Sequence, residues 1–402
     1  MSTFPYDLLR RWPDFESPEL LAVDGADRLL LTELDAARAG LNHADAELVV
    51  IGDNYGALTL GALRADEPTG ITRVRVHQDA RSGELALDNN ATALAGALAF
   101  VAHQADQPHA SAHFIHCKLD QDLVADAHFV VMRLPRSLEQ LDQWAALVAA
   151  YAADDVLVLA GGRIKHMTHS MNEVLARYFD TVQASLAERK SRVLRASGPK
   201  RAEALEVLAG YPMTKHHPQQ DLTVCAQGGV FAGINVDIGT RAMLEVLDQI
   251  PVAAGQRVID FGCGTGVLAA MLARLHPAVT IIASDQSAAA VASAEATMAA
   301  NGLADRVAVV RDDGLSQQPT ASADVIVFNP PFHSGAAVHS DTSLRLFAEA
   351  ARVLKPGGEL WIVANRHLGY KAVLRKLVGE TTEVHHTQKF TVTRSLRAPR
   401  VG

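Results

Sequence analysis

Residues 328–335 read FNPPFHSG and follow a strand-like segment, ADVIVFN, which makes them the first candidates for chemistry in this chain. A proline fixes φ and donates no backbone hydrogen bond, so Pro330 and Pro331 leave the groups before them pointing out of the sheet. The segment therefore predicts a rigid rim that can face a ligand. The alternative is an ordinary surface turn made by the two prolines.

A glycine-rich turn, DFGCGTG at residues 260–266, lies between a strand-like and a helical segment. Gly262, Gly264 and Gly266 let the backbone turn tightly and let a ligand approach without meeting a Cβ. A nicotinamide-dinucleotide fingerprint would read G-x-G-x-x-G, whereas this turn reads G-x-G-x-G and has Asp260 two positions before its first glycine. The spacing disfavours a nicotinamide-dependent oxidoreductase, which we keep as an alternative.

Three carboxylates stand at the ends of the next two predicted strands. Asp285 ends TIIASD, where it could accept both hydroxyls of a ribose, and Asp312 and Asp313 end VVRDD. We take Asp313 as the acceptor for an adenine amino group. Each aspartate alone could equally be a turn or a helix cap. Together with the glycine turn, they mark the carboxyl edge of an open α/β sheet, where such sheets bind ligands.

The elements that position these residues alternate between strands and helices, which predicts a mostly parallel, doubly wound sheet. The first half repeats this order, since ELVVIGDNYGALTLGAL matches RVIDFGCGTGVLAAML with Val50 for Asp260 and Asn54 for Gly264. Further on, Arg133-Leu134-Pro135 matches the Asn-Pro-Pro of the second half. The sequence thus predicts two tandem Rossmann-like domains, of which the N-terminal one is degenerate and has lost the chemistry.

We expect the degenerate domain over residues 1–185, a linker over 186–222 and the catalytic domain over 223–402. The linker includes ERKSRVLRASGPKR, whose Gly-Pro should stop a helix. Its basic residues predict a solvated helix and linker, or else part of an RNA-contacting surface.

Composition limits the class of protein. The 402 residues are 49% hydrophobic and 20% charged, which is enough apolar material for two cores, and the net charge of -8 argues against a wholly basic nucleic-acid coat. Three separated cysteines without a CxxC pair, and histidines without the spacing of a zinc site, predict no metal. The lack of a signal-peptide pattern or a membrane-spanning apolar run predicts a cytoplasmic protein without a membrane anchor.

With these motifs, the second half resembles the class I S-adenosylmethionine-dependent methyltransferases that have an N-P-P-[FYW] motif and methylate exocyclic amino nitrogens of nucleobases. In such a site, the side-chain carbonyl of Asn329 and the backbone carbonyl of Pro330 would each accept an N–H, and Phe332 would stack on the base. No strong general base is needed, because the nitrogen sheds its proton readily once it is alkylated and alignment supplies most of the rate.

The segments GVFAGINVDIGT, IVANRHLGY and VVIGDNYGAL narrow the resemblance to the bacterial ribosomal RNA guanine-N2 methyltransferases, and within them to the 23S rRNA (guanine(1835)-N(2))-methyltransferase family. One departure is Ala232-Gly233, where relatives tend to have Ser-Arg. The family implies two tandem class I methyltransferase domains, of which only the second binds S-adenosylmethionine. It implies a catalytic set of Asn329, Pro330, Pro331 and Phe332, and a cofactor-binding set of Phe231, Asp237, Gly239, Thr240, Asp260, Gly262, Gly264, Gly266, Asp285, Asp313 and Asn329.

The resemblance implies methyl transfer from S-adenosylmethionine to the N2 amine of a guanine in 23S rRNA, with guanine 1835 as the family target. The expected partner is this rRNA, free or in an assembly intermediate, while the oligomeric state stays open. Besides the nicotinamide-dependent oxidoreductase, three alternatives remain. They are a guanine-N2 methyltransferase of 16S rRNA, an enzyme for another amine such as a protein glutamine, and a non-catalytic RNA-binding assembly factor.

Overall fold

The computed structural model describes residues 4–17, 19–39, 48–63, 71, 73–95, 113–330 and 336–398. The chain forms two compact units, Met1–Tyr211 and Pro212–Gly402. Each unit is built around its own seven-stranded sheet, and the two sheets share one topology. The predicted duplication of a Rossmann-like domain is therefore confirmed.

The N-terminal unit has the strand order β3-β2-β1-β4-β5-β7-β6, in which the first five strands are parallel and the last two antiparallel. Its strands are β1 (Leu48–Ile51), β2 (Arg73–His77), β3 (His113–His116), β4 (Phe129–Arg133), β5 (Leu157–Arg163), β6 (Phe179–Ala184) and β7 (Ser191–Pro199). Its helices are α1 (Gly25–Arg38), α2 (Ala57–Ala62), α3 (Arg81–Leu94), α4 (Gln121–Val124), α5 (Leu138–Tyr151), α6 (His169–Tyr178) and α7 (Arg201–Leu208).

The C-terminal unit begins with a two-stranded antiparallel hairpin, β8 (Met213–His217) and β9 (Leu222–Ala226). Its large sheet has the order β12-β11-β10-β13-β14-β16-β15. The strands are β10 (Arg257–Phe261), β11 (Thr280–Asp285), β12 (Val307–Arg311), β13 (Ala323–Phe328), β14 (Leu354–Asn365), β15 (Thr381–His386) and β16 (Phe390–Leu396). The helices are α8 (Ile238–Leu244), α9 (Val267–Leu275), α10 (Ala288–Ala300), α11 (Ala336–Val353) and α12 (Lys371–Leu377).

Helices cover both faces of the C-terminal sheet, which explains why its central strands are almost continuously apolar. Successive side chains of a strand point to opposite faces. Val258 of β10 accordingly packs in one buried cluster with residues of α8, α9 and α10, while the next residue, Ile259, packs in another with residues of α11 and α12. This double burial fixes the register of β10 and β13 and hence the positions of the residues that follow each strand.

One predicted element is wrong. The basic segment expected to form a solvated helix is largely β7, which pairs with β5 and β6 inside the first sheet. Ser191 and Val193 are buried, whereas Arg195 is exposed and forms an ion pair with Glu33 of α1. Val193 and Leu194 pack into buried clusters on opposite faces of the sheet, as neighbours in a strand do, and the density of positive charge hid this pattern. The border between the two compact units lies after Tyr211, within the range expected to be a linker.

Candidate active site

The glycine turn connects β10 to α9 and adopts left-handed backbone conformations at all three glycines. The φ angles of Gly262, Gly264 and Gly266 are 67°, 53° and 79°. L-residues with a Cβ adopt this region only with strain, which accounts for the repeated glycine. The turn closes against the next strand, since Gly262 N donates to Ser284 O at 2.8 Å.

The three glycines differ in what surrounds them. A Cβ on Gly264 would meet no described atom within 4 Å, so the backbone is open there to a ligand. A Cβ on Gly266 would lie 2.8 Å from Met298 Cε and 3.1 Å from Ala294 Cβ, because α9 packs closely on α10 at this point. Gly264 is therefore suited to ligand approach, whereas Gly266 is required by helix packing.

Two of the predicted carboxylates support this turn from different sides. Asp285 lies beside it, and its two oxygens accept Gly264 N at 2.9 Å and Ser287 N at 3.0 Å. Asp260 is buried and accepts Ala269 N of α9 at 2.9 Å, and burial raises the pKa of Asp260 to about 7. Each carboxylate oxygen can accept more than one donor, so these bonds are compatible with the predicted role of Asp285 toward a ribose.

Asp312 and Asp313, of which the sequence analysis chose Asp313 for adenine, make different contacts. Asp312 closes the turn after β12 by accepting Ser316 Oγ at 2.6 Å and Gln317 N at 2.9 Å. Asp313 is almost fully buried, and its two oxygens accept both terminal nitrogens of Arg345 at 2.9 and 3.0 Å. The sequence analysis missed Arg345, because nothing in the pattern of α11 distinguishes it from a solvated arginine. The assignment of adenine to Asp313 stays a prediction.

Asn329 follows β13 and is oriented by the first turn of α8. Its Nδ2 donates to Asp237 Oδ2 at 3.2 Å and to Thr240 Oγ1 at 3.3 Å. Its Oδ1 is buried and accepts no hydrogen bond within the described part of the chain. A buried acceptor without a donor is uncommon in proteins and points to a missing ligand group.

Gly239 makes this close approach of α8 possible. A Cβ at Gly239 would lie 2.9 Å from Asp237 Oδ2, 3.2 Å from Phe390 Cε1 and 3.3 Å from Asn329 Oδ1. The predicted residues Asn329, Asp237, Gly239 and Thr240 are thus brought into one cluster. Their predicted contact with the methionine end of the cofactor is a separate matter, which stays a prediction.

The remaining predicted residues are less well defined by contacts. Pro330 is buried, whereas Pro331 and Phe332 lie outside the described residues. Phe231 is 49% exposed on the loop between β9 and α8. The neighbouring Ala232 and Gly233 both have positive φ angles, 63° and 54°, so the departure from relatives at this pair coincides with an unusual turn.

The N-terminal unit contains the same arrangement with different side chains. In each sheet the central strand pairs with the fourth strand in the same register, so that Arg133 occupies the position of Asn329. Its Nη1 donates to Asp24 Oδ1 at 2.8 Å and to Asp27 Oδ1 at 2.7 Å. Asp24 is the N-cap of α1, just as Asp237 is the N-cap of α8.

The change to arginine explains how the N-terminal copy lost an amine site. A guanidinium has donors only, so Arg133 cannot accept an N–H as an asparagine carbonyl can. The turn itself keeps its shape, because Asn54 has a φ of 59° at the position of Gly264. Chemistry has been lost from a framework that is otherwise preserved.

The histidine-rich segments serve local structure where the structure describes them. Lys215 Nζ donates to Asn235 Oδ1 at 2.9 Å, and the Nε2 of His217 lies 2.8 Å from Ile234 O, so β8 supports the Phe231 loop. Among the described residues there is no group of three or more His, Cys, Asp or Glu that could hold a metal ion. A search of the same residues found no helix long and apolar enough to cross a membrane.

The C-terminal unit combines a glycine turn with an open face, carboxylates after successive parallel strands and an Asn-Pro after the fourth. These residues fit an adenosine-containing cofactor beside a planar amine. The fold and the site define a class I S-adenosylmethionine-dependent methyltransferase.

Comparison with known proteins identifies the family. The model of the RLMG N-terminal domain matches residues 4–200, and that of the methyltransferase small domain matches residues 221–394. A ribosomal RNA large subunit methyltransferase G from Streptomyces avermitilis is 33% identical, with 97% of this chain and 96% of the relative covered. Its namesake from Stutzerimonas stutzeri is 34% identical, with 98% and 97% covered. The chain belongs to the ribosomal RNA large subunit methyltransferase G family, as its sequence motifs predicted.

A solved structure supports the fold over both units. The T. thermophilus 16S rRNA N2 G1207 methyltransferase, in complex with AdoMet and guanosine, matches with a TM-score of 0.68 and 19% identity. The match covers 95% of this chain and 97% of that one. At this identity the likeness speaks for the fold alone, and it confirms the predicted tandem class I methyltransferase architecture.

Proposed function

We propose that this protein transfers one methyl group from S-adenosylmethionine to the exocyclic N2 of a guanine in 23S rRNA, with the family target, guanine 1835, as the expected position. The observation that carries the proposal is the buried Oδ1 of Asn329 at the end of β13, which accepts no hydrogen bond from any residue that the structure describes. This oxygen can accept a hydrogen bond, and an aromatic amine has two N–H groups that could donate one. Family membership supports ribosomal RNA as the carrier of that amine.

The cofactor-binding half of the proposal uses the carboxyl edge of the sheet. The open backbone at Gly264 gives the cofactor room, Asp285 accepts ribose hydroxyls, and Asp313 accepts the adenine amino group. Gly262, Gly266 and Asp260 form the turn from which these groups project. When bound, the cofactor supplies a methyl group that a sulfonium has made electrophilic.

The amine half of the proposal is a matter of alignment. Asn329 Oδ1 and the backbone carbonyl of Pro330 accept the two N–H groups, which turns the nitrogen lone pair toward the methyl donor. As the N–C bond forms, the bond between sulfur and the methyl group would break and release S-adenosylhomocysteine as a neutral thioether; the nitrogen becomes cationic, and one N–H proton then passes to water. No strong general base is required, because a proton on such a cation is acidic. Pre-alignment of the reacting groups supplies most of the acceleration.

The N-terminal unit has a different proposed role. Arg133 in place of the asparagine leaves it without an amine acceptor, so it contributes no second methylation site. It serves instead to bind RNA and to support the catalytic unit. A target guanine within structured RNA must be splayed out before it can enter the site. Action on ribosomal RNA makes the cytoplasm the expected location.

The test is transfer of radiolabelled methyl from S-adenosylmethionine to deproteinised 23S rRNA, 16S rRNA and intact subunits, all from cells that lack this protein. Nucleoside mass analysis then identifies the product. Label as N2-methylguanosine in 23S rRNA supports the proposal, whereas label in 16S rRNA would move the enzyme to the related activity. Absence of label from all RNA would redirect the search to protein and small-molecule amines.

The Asn329→Ala variant tests the site itself. It should abolish methyl transfer and leave the affinity for S-adenosylhomocysteine largely intact, because it removes the amine acceptor and only one member of the proposed cofactor-binding set. Loss of both methyl transfer and S-adenosylhomocysteine binding would contradict the assignment of Asn329 to the amine. An unfolding curve that matches the wild-type protein is the control for folding.

A further inference from the structure

The side-chain amide of Asn329 can accept a hydrogen bond from the target amine in only one of its two orientations. The oxygen and nitrogen of an amide are nearly isosteric, and a rotation by 180° about the last side-chain bond exchanges them. With the nitrogen facing the target amine, donor would oppose donor. The site therefore needs some group that selects the orientation in which the carbonyl faces the amine.

The first turn of α8 contains such groups. Asp237 Oδ2 accepts three hydrogen bonds, from Gly239 N at 2.8 Å, from Thr240 N at 3.2 Å and from Asn329 Nδ2 at 3.2 Å. An ionised carboxylate can only accept, so it attracts the nitrogen side of the amide and repels the carbonyl side. Thr240 Oγ1 provides a second acceptor for the same nitrogen at 3.3 Å. These two contacts leave Oδ1 beside Gly239, where it accepts no hydrogen bond from any described residue.

The N-terminal unit shows that this contact belongs to the fold. There, Asp24 and Asp27 stand at the N-cap and three residues later, the same spacing as Asp237 and Thr240. They hold the donors of Arg133 at 2.8 and 2.7 Å. The start of the first helix thus holds an N–H donor from the end of the fourth strand in both units, although the donor residue differs.

We propose that Asp237 and Thr240 are positioning residues that hold the Asn329 amide with its carbonyl toward the target amine. This rests on the proposed function, because the amine is the group to be oriented. It differs from a cofactor contact in its consequence. Loss of either residue should lower kcat and leave the affinity for the cofactor unchanged.

The chain offers matched substitutions for this test. Serine caps helices as well as aspartate does, so Asp237→Ser preserves α8 but has neither the charge nor the reach to hold Asn329. Asp237→Asn keeps a carbonyl oxygen at the position of Oδ2, which can both cap the helix and accept Nδ2. Thr240→Val removes the second acceptor at nearly constant volume, and Thr240→Ser restores it.

The kinetic measurement is kcat and KM for methyl transfer, with calorimetric Kd for S-adenosylhomocysteine. Asp237→Ser should lower kcat by about ten- to a hundredfold, the range expected for a hydrogen bond to a charged acceptor. Thr240→Val should have a smaller effect in the same direction, and the conservative variants Asp237→Asn and Thr240→Ser should each restore part of the kcat lost in Asp237→Ser and Thr240→Val. A wild-type kcat in Asp237→Ser, or a Kd that rises in parallel as kcat falls, would overturn the inference.

A second readout does not depend on the substrate. In protein labelled with ¹⁵N-asparagine, the Asn329 side-chain resonance is the one lost in Asn329→Ala. Its amide protons should exchange slowly in wild type and in Asp237→Asn, and rapidly in Asp237→Ser. If this exchange pattern is found but no RNA is methylated, the proposed function is contradicted and the orientation of Asn329 is not. Equal exchange in all three proteins would contradict the orientation itself.

Discussion

Gly264 and Gly266 are two residues apart and both have positive φ, yet replacing Gly266 should lower stability, whereas replacing Gly264 should lower cofactor affinity. An alanine at Gly266 would suffer the left-handed backbone, roughly 1–2 kcal/mol, and would overpack Met298 and Ala294, about 1–3 kcal/mol. Gly266→Ala should therefore lower the unfolding free energy of the C-terminal unit by about 2–5 kcal/mol.

Gly264→Asn is the contrasting change, and the chain itself provides its precedent. Asn54 already adopts a φ of 59° at the equivalent position of the N-terminal unit. Asparagine tolerates this region, and the Cβ at Gly264 points into open space, so the loss of stability should stay below about 1 kcal/mol. The side chain would enter the space proposed for the cofactor. Overpacking of about 1–3 kcal/mol there would weaken binding about ten- to a hundredfold.

Two assays separate these effects. Urea denaturation reports the stability of both variants, and calorimetric titration with S-adenosylhomocysteine reports binding. A stable Gly266→Ala protein would refute the packing argument. Wild-type affinity in Gly264→Asn would mean that the cofactor does not cross Gly264, and unfolding of this variant would invalidate Asn54 as its precedent.

Three further changes probe neighbouring features. Arg345→Met should weaken S-adenosylhomocysteine binding roughly tenfold in calorimetry, because it leaves Asp313 buried without its partner. Lys355→Met is the control: it breaks a partly exposed ion pair of the same unit and should leave the binding unchanged. Burial raises the pKa of Asp53 to about 7, above its unfolded value of 3.8, so this group's stabilisation is full below pH 3.8 and is lost as pH rises through 7. Asp53→Asn should therefore flatten the fall in unfolding free energy between pH 3.8 and about 7, measured with urea. Gly239→Ala should lower kcat more than cofactor affinity, because its Cβ would push the capping carboxylate of α8 away from the amine acceptor.

Features that depend on local sequence could be predicted from it. The turn at Gly262, Gly264 and Gly266 requires positive φ, and that requirement is written directly as glycine at fixed spacing. Asp285 was found because the end of a parallel strand is itself a predictable position. The duplicated topology followed from the same strand and turn signals repeated in order.

Contacts between distant segments could not be predicted in the same way. Asn329 lies 92 residues from Asp237 and 89 from Thr240, and their hydrogen bonds depend on how α8 packs beside the end of β13. The pairing of Asp313 with Arg345 depends likewise on the packing of α11. Strand β7 was mistaken for a helix because its density of positive charge outweighed its few apolar residues, whose burial on both faces depends on distant neighbours.

The ion pairs of Arg133 in the N-terminal unit also affect which substitutions this position can accept. Arg133 is neutralised by two carboxylates, and Asp27 is almost completely buried beside it. Asparagine at position 133 alone would leave the buried carboxylate of Asp27 without a positive partner, which is strongly unfavourable. Mutating Asp27 alone would leave a buried arginine short of a partner. Each side chain thus compensates the charge of the other, so a return to asparagine at position 133 without a change at Asp27 would lower the stability of the N-terminal unit.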